Sequence, residues 1–460
     1  MKWGKAEMKL FGSSGVRGLI NSDLTPLLAA KIGLAIVTTS HAERVIVGRD
    51  TRTSGLMIEN ALVSGFLAAG AKASLLGVTP TPTLAYLTRR LRADAGVMIT
   101  ASHNPPQYNG IKIFNSEGVA YCEKSQDKIE EAVTNEQFSL PSWRKMGQAS
   151  FIDESLLYIR MVQKTARLNR KWHIIVDPGC GATFHLAPAL LASLGCKAVV
   201  INAQPDGFFP GRKPEPDPES MENLAKIVKN LDADMGIAYD GDGDRVAFVD
   251  EEGHFVDFHR VLAAYAAYVI QSSPSKIIVT SIEASMCVDK MVKKGNGRLV
   301  RTKVGDVYVA EALRKFDAAF GGEPCGAWIH PQIHFCPDGI LSSILLLRAL
   351  EDEDLKLSEF VSEVPHYENI RDGIACSNEA KREVMDKIKD GLTSLFPSFT
   401  HVSTIDGVRL SVEDGWILVR ASGTEPLIRL IAEGESLKTA KQLIEKGAIF
   451  VKETVEEVNR

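Results

Sequence analysis

Residues 235–250 have the sequence MGIAYDGDGDRVAFVD, in which apolar residues flank a cluster of aspartates and glycines. Both flanks are short and rich in strand-forming residues, so the pattern predicts two strands joined by a tight acidic loop. Asp240, Asp242 and Asp244 alternate with glycines along this loop. Their carboxylates would repel one another unless a bound cation offset their charge. Hard divalent metals prefer such oxygen ligands, so the loop predicts a metal site at the end of a strand.

Further apolar runs end in Gly, Asp, Ser or Pro in the same way. They are VIVGRD (45–50), AGVMITAS (95–102), HIIVDPGCG (173–181), KIIVTSI (276–282) and AAFGGEPCG (318–326). Amphipathic helical stretches separate several of these runs, and Thr25 followed by Pro26 marks one helix start. This alternation predicts an α/β fold with mostly parallel sheets, in which ligands bind beyond the carboxyl ends of the strands.

The C-terminal part of the chain has a different pattern. RLSVEDGWILVR (409–420) predicts a hairpin with an Asp-Gly turn, and a helix with one apolar face follows from about Ser436. The apolar positions of that helix are Leu437, Ala440, Leu443, Ile444, Val451 and Val455. We therefore expect three α/β units followed by a smaller α+β domain. The expected domains are 1–149, 150–249, 250–364 and 365–460, with a linker at 141–150 and a stiff proline-rich loop at 202–220.

Composition narrows the possible functions. The chain has 460 residues with 45% hydrophobic and 24% charged residues, which indicates a globular protein of several domains. Its 53 Lys and Arg against 58 Asp and Glu provide no basic field for nucleic acid or for a membrane. The longest apolar run, 261–270, is too short to cross a bilayer, and the seven scattered cysteines favour reduced thiols. These features predict a soluble, cytoplasmic protein without nucleic-acid or membrane partners.

An EF-hand is the first alternative for the acidic loop, because Glu251 stands at the twelfth position from Asp240. Arg245 replaces the glycine that an EF-hand loop needs for its sharp turn, and the flanks indicate strands rather than helices. We therefore exclude the EF-hand. A solvated acidic turn is the remaining structural alternative.

A second segment, TASHNPP (100–106), follows the strand-like GVMI. Ser102 stands at the strand end before a rigid Asn-Pro turn, where its hydroxyl can meet a substrate or only satisfy backbone groups. His103 can be a base or a packed imidazole, and Lys112 can serve the site or the surface.

Two further loops carry ligand-binding groups. Arg420-Ala-Ser-Gly-Thr-Glu-Pro426 offers hydroxyls, backbone amides and guanidinium groups that suit a phosphate, although an ordinary capped turn remains an alternative. Glu323 lies in a glycine-rich loop and can accept two sugar hydroxyls or serve the fold. Together with the serine and the acidic loop, these features indicate phosphoryl transfer on a phosphorylated small molecule.

Five segments in order resemble the signatures of the α-D-phosphohexomutase superfamily, and the resemblance covers essentially the whole chain. They are SSGVRG (13–18), TASHNP (100–105), DGDGDR (240–245), GEPCG (322–326) and RASGTEP (420–426). The resemblance implies three related α/β domains and a smaller C-terminal domain around a central cleft.

The resemblance also implies a role for each matching residue. Ser102 would be the phosphoserine nucleophile and, with Asp240, Asp242 and Asp244, would bind one Mg²⁺ ion. Arg17, Lys112 and His103 would complete the catalytic set by stabilising charge and moving protons. The implied substrate-binding residues are Arg245, Gly305, Asp306, Glu323, Cys325, Arg420, Ser422, Gly423, Thr424 and Arg429.

The implied reaction interconverts hexose 6-phosphate and hexose 1-phosphate through phosphoserine and a bound hexose bisphosphate, which also serves as activator. The enzyme would act on a small-molecule phosphosugar as a monomer or homo-oligomer. Cys325 and Ala327 stand where many members have Ser and His, and His330 or His334 could supply an imidazole or be structural.

This form of the sugar loop most resembles archaeal-type phosphoglucosamine mutases, which favours conversion of glucosamine 6-phosphate to glucosamine 1-phosphate. Mannose and glucose phosphates are alternative substrates. A Mg²⁺-dependent sugar phosphatase and a non-catalytic phosphosugar sensor are the alternative functions.

Overall fold

The computed structural model describes residues 10–12, 15–423 and 425–459. The chain divides into two compact units. One contains the described residues of Met1–Asp257 together with Cys325–Phe360, and the other contains Phe258–Pro324 with the described residues of Val361–Arg460. Within the described ranges, every helix is too short or too polar to cross a membrane.

The first sheet has six strands in the order β1-β5-β4-β2-β3-β6. Its strands are β1 (Val16–Leu19), β2 (Arg44–Arg49), β3 (Lys72–Val78), β4 (Ala95–Ile99), β5 (Tyr108–Asn115) and β6 (Ala149–Phe151). Strands β4, β2, β3 and β6 are parallel, whereas β5 is antiparallel to β4 and to β1. The accompanying helices are α1 (Pro26–Ser40), α2 (Gly55–Ala68), α3 (Thr81–Arg90), α4 (Glu123–Thr134) and a short 3-10 helix, Trp143–Lys145.

The second sheet contains the two strands predicted around the acidic loop. Helix α5 (Ser155–Thr165) precedes it, and the following elements are β7 (His173–Asp177), α6 (Leu186–Ser193), β8 (Lys197–Val200), α7 (Glu222–Asn230), β9 (Met235–Tyr239) and β10 (Val246–Val249). The order is β10-β9-β7-β8, with only β10 antiparallel. The acidic loop joins β9 to β10, so the tight turn between two strands is confirmed.

The third α/β region begins with α8 (Phe258–Ser272), β11 (Ile277–Ser281), α9 (Met286–Lys294), β12 (Arg298–Thr302), α10 (Asp306–Phe316) and β13 (Phe320–Gly322). Parallel strands pair in the order β12-β11-β13. The elements that follow in the chain are β14 (Trp328–Ile329), α11 (Gly339–Glu353) and α12 (Leu357–Phe360). Each of the six apolar runs identified in the sequence contains a strand.

The C-terminal sheet is antiparallel throughout, with the order β15-β19-β18-β17-β16. Its elements are β15 (Glu368–Ala375), α13 (Lys381–Leu395), β16 (His401–Ser403), β17 (Val408–Val412), β18 (Gly415–Ala421), β19 (Leu427–Gly434) and α14 (Leu437–Val458). Apolar faces of α13 and α14 pack on this sheet in one buried cluster. The predicted fold class, three α/β domains and a smaller α+β domain, is confirmed, while the exact domain boundaries stay predictions.

Two predicted helix starts are confirmed by their caps. Thr25 Oγ1 accepts a hydrogen bond from Leu28 N at 3.2 Å, and Pro26 is the first residue of α1. Ser436 Oγ accepts from Thr439 N at 3.2 Å at the start of α14. The predicted apolar face of α14 is wrong at Leu437, which is 46% exposed because it stands at the helix end.

Two local predictions differ from the structure. The hairpin forms, but its turn holds Glu413 and Asp414, and Gly415 pairs with Val412 as a strand residue. A β-carbon on Gly415 would lie 2.3 Å from Glu433 O, so close strand approach, not the turn, requires glycine there. The predicted linker 141–150 includes the start of β6, whose backbone pairs with β3. The 202–220 loop has no helix or strand, as predicted.

Candidate active site

Ser102 lies just beyond β4 and is only 1% exposed. Its φ of +52° is in the left-handed region, which is uncommon for a residue with a side chain. Ser102 Oγ donates a hydrogen bond to Asp240 Oδ2 at 2.6 Å, although the two residues are 138 positions apart in the chain. The structure therefore brings the predicted nucleophile directly against the acidic loop.

The acidic loop holds its three carboxylates together. Asp240, Asp242 and Asp244 are buried, and one carboxylate oxygen from each lies within 4.8 Å of the others. Asp240 Oδ1 accepts hydrogen bonds from the backbone N–H groups of Gly243 and Arg245 at 3.0 and 3.1 Å. Burial and the neighbouring Asp244 and Asp242 charges raise the pKa of Asp240 well above its usual value. Burial is the larger cause and the two neighbouring carboxylates add to it, so a positive charge beside the loop would stabilise ionised Asp240.

Lys112 provides one positive charge beside the three carboxylates. Its Nζ donates to Asp242 Oδ2 at 2.8 Å and to Asp244 Oδ2 at 2.5 Å. Thr81, at the start of α3, donates its hydroxyl to Asp242 Oδ2 at 2.5 Å and its N–H to Asp242 O at 2.9 Å. Burial raises the pKa of Asp242, but the Lys112 ammonium and hydrogen bonds from Lys112 and Thr81 outweigh it and lower the pKa overall. Asp242 is therefore ionised.

The remaining oxygens fit a small, hard cation. Among the described residues, the buried Oδ1 atoms of Asp242 and Asp244 have no hydrogen-bond partner, and such atoms are costly unless a ligand binds them. The available donors are all oxygens, as Mg²⁺ prefers. A β-carbon on Gly241 would lie 2.5 Å from Ser102 O, so the glycine lets the serine approach the carboxylates. Glu251 does not belong to the three-carboxylate cluster, and its Oε1 accepts a hydrogen bond from Ser358 Oγ at 2.5 Å. This placement agrees with the exclusion of an EF-hand, in which Glu251 would bind the metal.

Three more predicted residues lie in or contact the segments that carry Ser102 and the aspartates. Arg17 donates to Asn104 Oδ1 at 2.8 Å, and Arg245 donates to both Glu215 carboxylate oxygens at 2.8 and 3.1 Å. His103 Nδ1 lies 3.3 Å from Ser102 Oγ. Loss of hydration, followed by the Arg245 and Arg17 charges, lowers the pKa of His103 well below its usual value. His103 is therefore neutral at physiological pH, and the lowered pKa makes it a weaker base than a free imidazole.

The glycine-rich loop after β13 contacts the loop before α10. Glu323 is 8% exposed, and its Oε1 accepts a hydrogen bond from Gly305 N at 2.9 Å. Gly305 has a φ of +134° and precedes Asp306, the first residue of α10. The structure thus joins two predicted substrate-binding segments. Cys325 is half-buried and belongs to the other compact unit.

The predicted phosphate loop joins β18 to β19. Arg420 Nε and a terminal nitrogen lie 2.8 and 2.7 Å from Glu283 Oε1. Ser422 Oγ accepts from Glu425 N at 3.2 Å, and Arg429 pairs with Glu425 at 2.5 Å. The space around Gly423 is open, because a β-carbon there would have no neighbour within 4 Å among the described atoms. Thr424 lies outside the described residues, as do Ser13 and Ser14 of the first signature.

Sequence reasoning missed several residues that hold these loops. Lys381 Nζ donates to the backbone oxygens of Ser422 and Glu425, each at 2.6 Å, and so ties both ends of the phosphate loop. Thr81, Glu215 and Glu283 each contact a predicted site residue from a distant segment. Thr81 stands at a helix start and Glu215 and Glu283 stand in loops, and these positions alone do not indicate a role in the site.

His330 and His334, whose roles the sequence left open, are structural. His330 is 5% exposed with Nε2 3.0 Å from Ser342 Oγ, whose own hydroxyl donates to Asp338 O. His334 Nε2 lies 2.9 Å from Asp338 Oδ2, and Tyr158 donates to the same carboxylate. The two imidazoles therefore support the start of α11.

Burial of His330 predicts acid sensitivity of the fold. Desolvation by burial lowers the pKa of His330 to about 3; it outweighs the Asp338 charge, which raises this pKa, and His334 lowers it further. The unfolded chain, with a pKa near 6.5, then binds a proton that the folded chain does not, so stability falls as pH drops below about 6.5. Between pH 7 and pH 5, His330 should account for about 2 kcal/mol of lost unfolding free energy.

Urea titrations at both pH values measure this loss. The loss of unfolding free energy should be smaller in His330→Gln than in wild type. It should be unchanged in the control His254→Gln, whose imidazole is exposed. An equal loss in His330→Gln and wild type would contradict the assignment.

Comparison with known proteins gives a consistent result along the chain. Residues 8–140, 155–253 and 257–367 match α/β/α domains I, II and III of phosphoglucomutase/phosphomannomutase, and residues 374–448 match the C-terminal domain. "Phosphoglucosamine mutase" of Methanocaldococcus jannaschii is 41% identical over 97% of this chain and 99% of that protein. "Probable phosphoglucosamine mutase" of Methanothermobacter thermautotrophicus is 41% identical over 97% and 98%.

Solved structures agree with this result. A phosphoglucomutase/phosphomannomutase family protein from Burkholderia thailandensis has a TM-score of 0.87 at 27% identity and covers 97% of each chain. N-acetylphosphoglucosamine mutase of Aspergillus fumigatus, solved with GlcNAc-6P and magnesium, has a TM-score of 0.61 at 16% identity, covers 97% of this chain and 96% of that chain, and supports the fold alone. Sequence match, fold and the Ser102–aspartate site agree, and the chain belongs to the phosphoglucomutase/phosphomannomutase family of phosphohexomutases, which are isomerases.

Proposed function

We propose that this enzyme interconverts glucosamine 6-phosphate and glucosamine 1-phosphate. The observation that carries the proposal is the buried contact of Ser102 Oγ with the Asp240 carboxylate inside the three-aspartate cluster. A hydroxyl in that position can carry a phosphoryl group next to a cation that the carboxylate oxygens would bind. The relatives named phosphoglucosamine mutase, at 41% identity over nearly the whole chain, favour glucosamine as the sugar.

The proposed chemistry is a transfer and its reverse. Phospho-Ser102 gives its phosphoryl group to the free hydroxyl of the sugar phosphate, so that the serine P–O bond breaks and a bond to the sugar oxygen forms. In the proposal, neutral His103 takes the hydroxyl proton, while Lys112, an ammonium paired with Asp242 and Asp244, stabilises negative charge and can donate a proton. After the bisphosphate has turned end for end, the P–O bond between its other phosphoryl group and the sugar breaks. That phosphoryl group forms a bond to Ser102 Oγ, and the released sugar oxygen takes back the proton.

Charge is the main difficulty for this transfer, because a phosphoserine would join three carboxylates. Mg²⁺ bound by Asp240, Asp242, Asp244 and the serine phosphate would offset that charge and stabilise the transferring group. Lys112 would hold the carboxylates of Asp242 and Asp244 in place, and Arg17 and Arg245 would bind the phosphoryl oxygens.

The remaining predicted residues would bind the rest of the substrate. In the proposal, the phosphate that the sugar already carries binds to Arg420, Ser422, Gly423, Thr424 and Arg429, and the sugar hydroxyls and amine contact Gly305, Asp306, Glu323 and Cys325. Arg420 would exchange part of its pairing with Glu283 for the phosphate. An activating hexose bisphosphate and a cytoplasmic location, as a monomer or homo-oligomer, complete the proposal.

The decisive experiment compares glucosamine, mannose and glucose 6-phosphates with Mg²⁺ and the matching bisphosphate. We expect the highest kcat/KM for glucosamine 6-phosphate, with inorganic phosphate released far more slowly than the 1-phosphate forms. Preference for mannose or glucose would contradict the substrate assignment. Phosphate release at the rate of isomer formation would indicate a phosphatase, and tight binding without turnover would indicate a sensor.

A further inference from the structure

Arg52 is a buried arginine in the segment after β2 that the proposed chemistry does not use. It is 1% exposed, and its guanidinium lies over the Phe209 ring at 5.3 Å from the ring centre. A buried guanidinium is costly unless its donors are satisfied. The contacts of this side chain therefore explain why it is there.

Each N–H group of the Arg52 guanidinium can be assigned to an acceptor. One terminal nitrogen donates to Pro105 O at 2.7 Å and to Tyr108 O at 2.9 Å. The other donates to Ser102 O at 2.8 Å and to Asn104 O at 2.6 Å. The fifth donor, Nε, binds Asp50 Oδ2 at 3.0 Å. One side chain thus gathers four carbonyls of the loop that begins at the nucleophile.

Asp50 extends the same network to the amide of Ser102. Its Oδ2 also accepts the Thr100 hydroxyl at 2.6 Å, and Thr100 Oγ1 accepts Ser102 N at 2.8 Å. Arg52 and Asp50 therefore hold both the N–H and the C=O of Ser102. That residue has a φ of +52°, a conformation that persists only where the surroundings impose it.

We propose that Arg52 is a positioning residue for phosphoryl transfer, which sets the backbone conformation of Ser102 and so aims its Oγ at Asp240. This inference rests on the proposed function. Arg52 touches neither substrate nor metal in the proposal and acts through the serine loop. Lysine cannot replace it, because an ammonium has three donors and no planar fork.

Arg52→Lys provides the test, because it keeps the charge that balances Asp50. We expect kcat to fall about 100-fold, as for a small misplacement of a reacting group. KM for the sugar phosphate should change less than threefold. The rate at which hexose bisphosphate phosphorylates Ser102, followed by intact mass, should fall by the same factor as kcat. Arg52→Met should do the same or worse, and kcat should be measured well below the Tm of each variant.

Ile32→Ala is the matched control. Ile32 is fully buried in the core of the same domain, and its truncation lowers Tm without contacting the serine loop. We expect it to keep wild-type kcat and the wild-type rate of Ser102 phosphorylation. If folded Arg52→Lys keeps kcat within threefold of wild type, or loses only what the control loses, the positioning role is wrong. Absence of turnover by the wild type on every sugar phosphate would instead overturn the proposed function, and this inference with it.

Discussion

Ser102→Ala is expected to abolish isomerisation, with kcat at least about 10⁴-fold below wild type, since removal of a covalent nucleophile has effects of this size or larger. Ser102 Oγ donates a hydrogen bond at 2.6 Å to Asp240, one of the three clustered carboxylates. Without it, no phosphoryl group can be stored on the enzyme between the two halves of the reaction. A continuous assay of 1-phosphate formation and the intact mass of the protein measure the two consequences.

The mass measurement separates loss of chemistry from loss of structure. Wild-type enzyme treated with hexose bisphosphate should carry one phosphoryl group, and Ser102→Ala should carry none while keeping a similar Tm. Ser64→Ala is the control, because the Ser64 hydroxyl is exposed and donates to Asn60 O within its own helix. Full turnover by Ser102→Ala would show that another group carries the phosphoryl transfer.

The predictable part of the fold depends on local pattern. Short apolar runs ending in polar residues predicted the strands, and the polar ends of two of them, at Ser102 and Asp240, meet in the structure. Which strand ends are neighbours depends on strand order, and no local pattern contains that order. The residue types of the two motifs indicate a shared phosphoryl-transfer function, but only the resemblance to a family implies that Ser102 and the aspartates bind the same metal ion.

The residues that the sequence could not predict act at long range. Arg52 follows β2 and Glu215 lies in a proline-rich loop, and neither position differs locally from that of a surface charge. Arg52 is buried and binds Ser102, 50 residues away, while half-buried Glu215 binds Arg245, 30 residues away. The prediction that Gly415 is a turn residue is wrong, because a hairpin turn and a close strand contact both favour glycine.

Asp242→Asn should reduce Mg²⁺ affinity by at least about 100-fold and kcat by a similar or larger factor. Mutation of a residue that only hydrogen-bonds to a metal ligand typically costs about 10–100-fold, so loss of a ligand itself should cost more. Asp242 contributes a buried Oδ1 that has no partner among the described residues, while Oδ2 is held by Lys112 and Thr81. The amide keeps the size of the side chain but loses its charge, so attraction to both Mg²⁺ and Lys112 falls. Calorimetric titration of the protein with MgCl₂ measures the affinity directly, without any assay of turnover.

Glu251→Gln is the control that makes this result specific. If the segment were an EF-hand, Glu251 would be a metal ligand. In the structure, Glu251 accepts a hydrogen bond from Ser358. We expect the control to bind Mg²⁺ as tightly as wild type, and chelation with EDTA to abolish turnover in both, with full recovery on adding Mg²⁺. Equal Mg²⁺ affinity in Asp242→Asn and wild type would place the cation elsewhere. The two unpaired oxygens of Asp242 and Asp244 would then need another explanation, because buried carboxylate oxygens without a partner oppose folding.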